Sequence, residues 1–262
     1  MALNFESGEP PIKWLRKVAK AKHPLNEQYC LVEGWKAISE ACEKHTPQLI
    51  IHTEAAEPKL KEQPWHHLGQ TFLIEAKDLK EFCSTQSPEG VLAAFDRPKV
   101  SPSPPQGQLG ELHLGLFEWR DPSNVGAVIR TARGLGVSSV TMIGNGPHFF
   151  STKVIRCSMG SVFHMNLHQM SNNDGFFLPS GDDLNRSPNF VCATATSQSS
   201  KDWRPEKNWT FLMIGSESHG FPEEFSTRHP NIGIPLKGGL ESLSAPIASA
   251  LLMDHLLHTH SS

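Results

Sequence analysis

Residues 211–257 read FLMIGSESHGFPEEFSTRHPNIGIPLKGGLESLSAPIASALLMDHLL. Two short apolar runs, 211–214 and 232–236, each pass straight into a turn rich in glycine and serine, and a helical pattern closes the segment. Continuous apolar runs of this length, bounded by turn residues, are what strands buried on both faces of a parallel sheet look like. In α/β proteins the loops at the carboxyl ends of such strands bind ligands. Within Gly215-Ser-Glu-Ser-His-Gly220 the glycines let the backbone approach a ligand closely, and the serines and Glu217 supply donors and acceptors. Taken alone, this loop suits a plain turn between strand and helix equally well. Two such loops in one short segment favour a site.

The same pattern extends upstream. Residues 112–117 (LHLGLF) form a strand candidate that runs into Asp121-Pro-Ser-Asn-Val-Gly126, and a helix is predicted over 125–135. Asp121 or Ser123 can cap that helix, and Gly136 is placed to end it. Residues 140–143 supply the next strand and 190–196 (FVCATAT) a further one, while 171–189 read as loop with a short helix. Strand, turn, helix and strand in this order suit a nucleotide-binding unit, but the first turn lacks the glycines of a dinucleotide GxGxxG. That disfavours a hydride-transfer enzyme of Rossmann type. Arg130 and Arg133 sit in the helix, where arginines are commonly solvated or paired; Arg130 follows Asn124 by six residues, about one and two-thirds turns, at the strand's exit. There its planar guanidinium can meet a phosphate or a carboxylate such as Glu217. Residues 151–167 carry Lys153, Arg156, Ser158 and Gly160 ahead of an apolar run, either as a basic helix end or as a phosphate-contacting strip.

Length and composition bound the rest. A chain of 262 residues can bury a large core, and two domains are expected. A net charge of -3 gives no global attraction to nucleic acid, so any such binding must use a local patch. The five cysteines are odd in number, widely spaced and without a CxxC pair, as in reduced thiols of an intracellular protein. With no long apolar stretch and an acidic amino terminus, the expectation is a soluble cytoplasmic protein with no membrane association. The 14 histidines suggest no metal site, because His66-His67 and His255, His258 and His260 lack matching cysteine or carboxylate partners.

Residues 1–97 read as a small three-layer α/β unit, with strands at 29–32, 49–52 and 71–74 alternating with helices at 34–44 and 77–82. A leading helix over 12–22 holds Trp14, Leu15 and Val18 at helical spacing among Lys13, Arg16, Lys17, Lys20 and Lys22. This basic cluster is either a solvated face or an anchor for phosphates. Residues 97–110 pack four prolines and two glycines into a short span, which favours extended geometry and places a linker over 98–110 before a second domain over 111–262.

At this point three segments, in order, carry a family resemblance. Asn124-Val-Gly-Ala-Val-Ile-Arg130 resembles the first signature of the SpoU (TrmH-like) RNA ribose 2′-O-methyltransferases of the SPOUT class. Gly215–Gly220 resembles the second, and residues 234–248 (IPLKGGLESLSAPIA) the third. Lys153-Val-Ile-Arg156 with Ser158 and Gly160 is similar to a further family segment. Leu31-Val-Glu-Gly34 and Pro88-Glu-Gly-Val-Leu92 resemble the substrate-binding domain, of L30e-like kind, often joined to that catalytic core.

The resemblance implies a parallel α/β sheet whose C-terminal segment forms a deep trefoil knot, and a homodimer formed through it. It implies S-adenosylmethionine held by loops, with Gly215, Ile234, Leu243 and Ser244 on the cofactor side. The reaction implied is methyl transfer to a ribose 2′-hydroxyl of a structured ribosomal or transfer RNA. Arg130 would stand nearest the chemistry, with Asn124 and Glu217 holding it and Ser242 bonding the nucleotide. A guanidinium remains charged, which favours stabilisation of the developing alkoxide over proton removal by Arg130 itself. Lys13, Arg16, Lys17, Lys20, Lys153 and Arg156 are the expected RNA contacts. The third signature usually reads Ser-Leu-Asn, and this chain has Ser242-Leu243-Ser244. That departure motivates the alternative, an RNA-binding protein of the same fold with impaired catalysis.

Overall fold

The computed structural model describes residues 5, 11–171, 188–204, 209–216, 220–221 and 227–260. Two compact units divide the chain, one of residues 1–99 with 148–164 and the other of residues 100–147 with 165–262.

The first unit is built on a four-stranded sheet. Its strands are β1 (Tyr29–Glu33), β2 (Pro47–His52), β3 (Gln70–Leu73) and β4 (Val91–Asp96), in the order β1-β4-β2-β3. β4 runs antiparallel to both β1 and β2, and β2 pairs parallel with β3. Alternation sorts the side chains: Leu31, Leu49, Ile51, Phe72, Leu92 and Ala94 face one layer. There they meet Leu15 and Val18 of α1 (Ile12–Ala19) and Leu79 of α5 (Ala76–Lys80). On the opposite side lies α3 (Trp35–Cys42), with Ile38 and Ala41 fully buried. The short helices α2 (Pro24–Gln28) and α4 (Glu57–Lys61) complete the connections. β4, which the sequence reading left unassigned, is a central strand. Its VLAAFD run follows a glycine at φ 81° and is buried through its first five residues.

Residues 148–164 lie in sequence between strands of the second unit and yet pack in the first. They include α7 (Thr152–Cys157), which contacts β1, and a 3-10 turn at Ser161–His164 whose Phe163 ring lies 5.9 Å from that of Phe95.

The second unit carries six parallel strands in the order β10-β8-β9-β5-β6-β7. They are β5 (Leu112–Phe117), β6 (Ser139–Ile143), β7 (Asn166–Met170), β8 (Asn189–Ser199), β9 (Thr210–Gly215) and β10 (Asn231–Gly233). β5 and β6 are buried along their whole length and β9 for all but its last residue, as continuous apolar runs require. α6 (Pro122–Leu135) follows β5, and α8 (Ala245–His260) packs on α6 and touches β5 and β9. Asp121 caps α6, its Oδ1 accepting from Ser123 N at 2.7 Å, and Gly136 ends it in the left-handed region at φ 84°. The strand expected over 232–236 is shorter, because Pro235 has no N–H to extend the ladder. β7 was not anticipated; its mixed NLHQM run shows little alternation. The proline-rich stretch is partly tied down: Ser101 N donates to Leu167 O at 2.9 Å, and Gln169 N donates to Ser101 O at 2.9 Å.

Candidate active site

Two cavities open in the second unit at the carboxyl ends of its strands. The larger, of about 360 Å³, is lined by the middle of β8 (Ala193, Thr194), the end of β9 (Ile214, Gly215), Ile234 after β10, and Ser242, Leu243 and the first turns of α8. Its volume falls in the range typical of small-molecule sites. The walls are apolar side chains interleaved with loop backbone, the composition that suits a ligand recognised through carbonyl and amide groups. At Gly215 the chain has no room for a side chain: a Cβ there would stand 2.8 Å from the carbonyl carbon of Gly220. The two ends of the Gly215–Gly220 loop therefore close on one another, and Gly220 N donates to Ser216 O at 2.9 Å.

The smaller cavity, of about 200 Å³, lies at the amino end of α6 and is lined by Glu118, Trp119, Arg120, Asp121, Asn124, Ser216 and Ala245. Ser216 and Ala245 line both cavities. The buried Trp119 ties the loop after β5 to the end of β9, its Nε1 donating to Ile214 O at 3.0 Å. Glu118 beside it adopts φ 55°, a left-handed conformation uncommon for a side chain of that kind. It is held there by two bonds: Glu118 N donates to Ile143 O at 3.0 Å, and Glu118 Oε1 accepts from Asn145 N at 3.2 Å.

The expected cofactor residues Gly215, Ile234 and Leu243 thus share one cavity with Ser242, whereas Ser244 is exposed and lines neither. The Ser244 carbonyl accepts from Ala248 N at 3.0 Å and starts α8. Asn124 reaches the smaller cavity. Glu217 lies outside the described residues. Arg130 is exposed on α6 and lines neither cavity; six residues of helix turn it about 120° around the axis from Asn124. Ser216 belongs to the loop whose serines are expected to supply donors and acceptors, whereas Trp119 and Thr194 are not among the expected site residues. Only the register of β8 beside β9 and the course of the β5 exit loop bring them to the site.

The expected RNA contacts all belong to the first unit. Lys13, Lys17 and Lys20 are exposed along or just after α1. Arg16 is engaged in a two-pronged pair with Glu81, Nε and Nη2 donating at 2.8 and 2.9 Å, and this pairing holds its pKa above the ordinary arginine value. Lys153 is exposed on α7, whereas Arg156 turns inward to Glu33 and Ser84. Glu40, Glu43 and His164 form a cluster of possible metal ligands. It is internally satisfied: His164 Nε2 donates to Glu40 O at 2.9 Å, and Lys36 Nζ stands 2.6 Å from Glu40 Oε1. Burial pushes the thiols of Cys30, Cys42, Cys83 and Cys192 up to about 12, which leaves them as neutral packing groups and not nucleophiles.

Comparison with known proteins fits this geometry. The SpoU rRNA Methylase family model matches residues 111–254, and a model described as MRM3-like substrate binding domain matches residues 9–93. The chain is 26% identical to human "rRNA methyltransferase 3, mitochondrial" over 85% of its own length, and spans 66% of that protein. It is 24% identical to the Bacillus subtilis "23S rRNA (guanosine(2553)-2'-O)-methyltransferase RlmP", over 94% of this chain and 95% of that one. In fold it resembles the AdoMet-bound rRNA methyltransferase of Sinorhizobium meliloti, with a TM-score of 0.80, 21% identity and 95% of each chain covered. The chain belongs to the SpoU rRNA methylase family.

Proposed function

We propose that the protein is an S-adenosylmethionine-dependent methyltransferase acting on a ribose 2′-hydroxyl of ribosomal RNA. One observation carries the reading. The larger cavity is walled by residues of the second and third signature segments, which follow β9 and β10 on either side of β8, and it shares Ser216 and Ala245 with a second cavity that holds Asn124 of the first. The residues present fit the cofactor: an apolar bed of Ile214, Ile234, Leu236, Leu243 and Leu252, and a loop closed tightly enough at Gly215 to exclude a side chain. S-adenosylmethionine supplies an electrophilic methyl group on a sulfonium. Transfer of that methyl group to the ribose 2′-oxygen would break its bond to sulfur and leave 2′-O-methylated RNA, S-adenosylhomocysteine and a proton.

The protein's own part is positioning and electrostatics. Asn124 and Ser242 orient the acceptor, and Glu217 is assigned to work with them from the family resemblance alone. Arg130, exposed on α6 outside both cavities, is assigned from the family resemblance the task of offsetting the charge that develops on the 2′-oxygen. Lys13, Lys17, Lys20 and Lys153 are the strongest RNA contacts, because their ammonium groups are exposed. Residues 1–97 act as the substrate-binding domain, with 98–110 as the linker to the methyltransferase domain over 111–262. The alternative of an RNA-binding protein without catalysis rests on Ser244, and that side chain lies outside both cavities.

We further propose a homodimer and a C-terminal knot. α8 leaves Ile247 and Leu251 55% and 49% exposed, one helical turn apart, with Leu240 at 57%. Large apolar side chains in such an arrangement mark a contact surface. The chain places β10 outside β8, then returns as α8 onto α6, the course a knotted tail follows.

The test is methyl transfer from tritiated S-adenosylmethionine to unmodified large-subunit ribosomal RNA transcripts, with nucleoside mass spectrometry of the product. A 2′-O-methylnucleoside is expected. Tight RNA binding with neither cofactor binding nor transfer would establish the alternative instead.

A further inference from the structure

We infer that the smaller cavity seats the ribose of the nucleotide being methylated, with Ser216 as its hydrogen-bonding contact and Arg120 as the holder of the adjoining phosphate. The inference rests on the methyltransferase reading and names the acceptor side of the same site.

Position comes first. Ser216 and Ala245 are common walls of the two cavities, so groups seated in each meet there. Methyl transfer needs its reacting atoms about 3 to 3.5 Å apart, which only adjoining seats allow. Chemistry comes second. The larger cavity is mostly apolar, whereas the smaller one presents Glu118, Arg120, Asp121, Asn124 and Ser216. Two carboxylates in a small cavity repel a phosphate from its floor. Ionised carboxylates are acceptors only, and ribose hydroxyls are donors. A sugar therefore fits inside, with its phosphate outside.

Two side chains have polar groups to spare. Ser216 Oγ is buried and has no hydrogen-bond partner. A buried hydroxyl left in that state is unfavourable unless a ligand meets it. Arg120 is exposed at the rim and makes no ion pair or hydrogen bond among the described residues. Glu118 and Asp121, by contrast, each accept from a backbone amide, at 3.2 Å from Asn145 N and 2.7 Å from Ser123 N. Arg120 thus offers a free guanidinium where the sugar's phosphate would emerge, a geometry arginine serves well.

The experiment titrates the full-length protein, loaded with S-adenosylhomocysteine, with uridine 3′-monophosphate, its 2′-deoxy analogue and uridine. NMR reads the Ser216 amide and the Arg120 Nε. The expected result is a ribonucleotide-dependent shift at both positions, with binding at least about fivefold weaker for the 2′-deoxy compound. Ser216→Ala is expected to weaken ribonucleotide binding about fivefold and Ser216→Thr, which keeps the hydroxyl, to recover most of it. Arg120→Gln is expected to remove the preference for phosphorylated over free uridine. Arg120→Gln, whose side chain lies outside the larger cavity, should hold S-adenosylhomocysteine within about twofold of the parent. No ribonucleotide binding, shifts confined to other residues, equal binding of ribose and deoxyribose, or unchanged ribonucleotide binding in Ser216→Ala would overturn the assignment. Failure of the parent protein to bind S-adenosylmethionine overturns the broader reading separately; the titration without S-adenosylhomocysteine then decides the ribose seat alone.

Discussion

Arg156 and Glu33 form an ion pair in the first unit, with Nε 3.1 Å from Oε1 and the Glu33 side chain only 5% exposed. Ser84 completes the group: its Oγ donates to Glu33 Oε1 at 2.7 Å and accepts from Arg156 Nε at 2.8 Å, while Ser84 N donates to Glu33 Oε2. The pair fastens α7 to β1 and to the loop after α5. An arginine expected to face RNA is instead occupied in holding residues 148–164 in place.

Removing that arginine leaves a buried carboxylate without its cation. Arg156→Ala is expected to cost about 2 to 3 kcal/mol, less than a fully buried pair because the guanidinium is 37% exposed. Chemical denaturation measures it. Arg156→Lys should recover only part, since an ammonium cannot bridge Glu33 and Ser84 as a planar fork does. Stability unchanged in Arg156→Ala would show the pair to be incidental.

At Gly215 the close approach to Gly220 makes the cofactor loop intolerant of a side chain. Gly215→Ala is therefore expected to lower S-adenosylmethionine affinity at least about tenfold by spreading the loop, the equivalent of about 1.4 kcal/mol. Titration calorimetry reads this directly. Trp119→Phe should lower affinity more mildly, because it removes the bond to Ile214 O while keeping most of the ring's packing.

Arg130 is exposed and Arg16 is paired, and the two variants should separate chemistry from binding. Arg130→Ala is expected to cut transfer by about 100-fold or more with stability within about 0.5 kcal/mol of the parent. Transfer at the parent rate would remove Arg130 from the reaction.

Among the basic residues of α1, Lys17→Ala should reduce the salt dependence of RNA binding by about 0.7 in slope. Arg16→Ala should change it less, because Glu81 already neutralises that guanidinium. Equal slopes for the two variants would count against this ranking.

Acid should weaken the second unit through His113. Burial is the main cause that lowers its pKa below 6.5, with Glu111 opposing; the ring lies between Ser139 Oγ at 2.7 Å and the ring of Trp209 at 4.7 Å. A histidine held neutral in the folded state contributes stability above its unfolded pKa, and that contribution is lost as pH falls below about 6.5. Melting temperature should therefore drop on acidification. His113→Gln should show a shallower drop; an identical pH profile would exclude this histidine as the cause.

Much of the second unit was legible in the residues themselves, because its signals are local. The run 112–117 coincides with β5, and Asp121 and Gly136 bound α6 through interactions within two to four residues. Phe211–Ile214 lies inside β9, and the glycine that closes the adjoining loop stands beside it in the chain. Hydrophobic period and capping are properties of neighbouring residues, so sequence alone settles them. Which distant groups meet is another matter. β4 becomes a central strand only when its backbone finds both β1 and β2. Arg156 reaches Glu33 across 123 positions, and Trp119 reaches Ile214 across 95. Ser216 becomes a shared wall of two cavities only once β9 lies beside β5 and β8. Long-range pairing depends on the burial and hydrogen-bond satisfaction of the whole sheet, and no window of sequence carries that information.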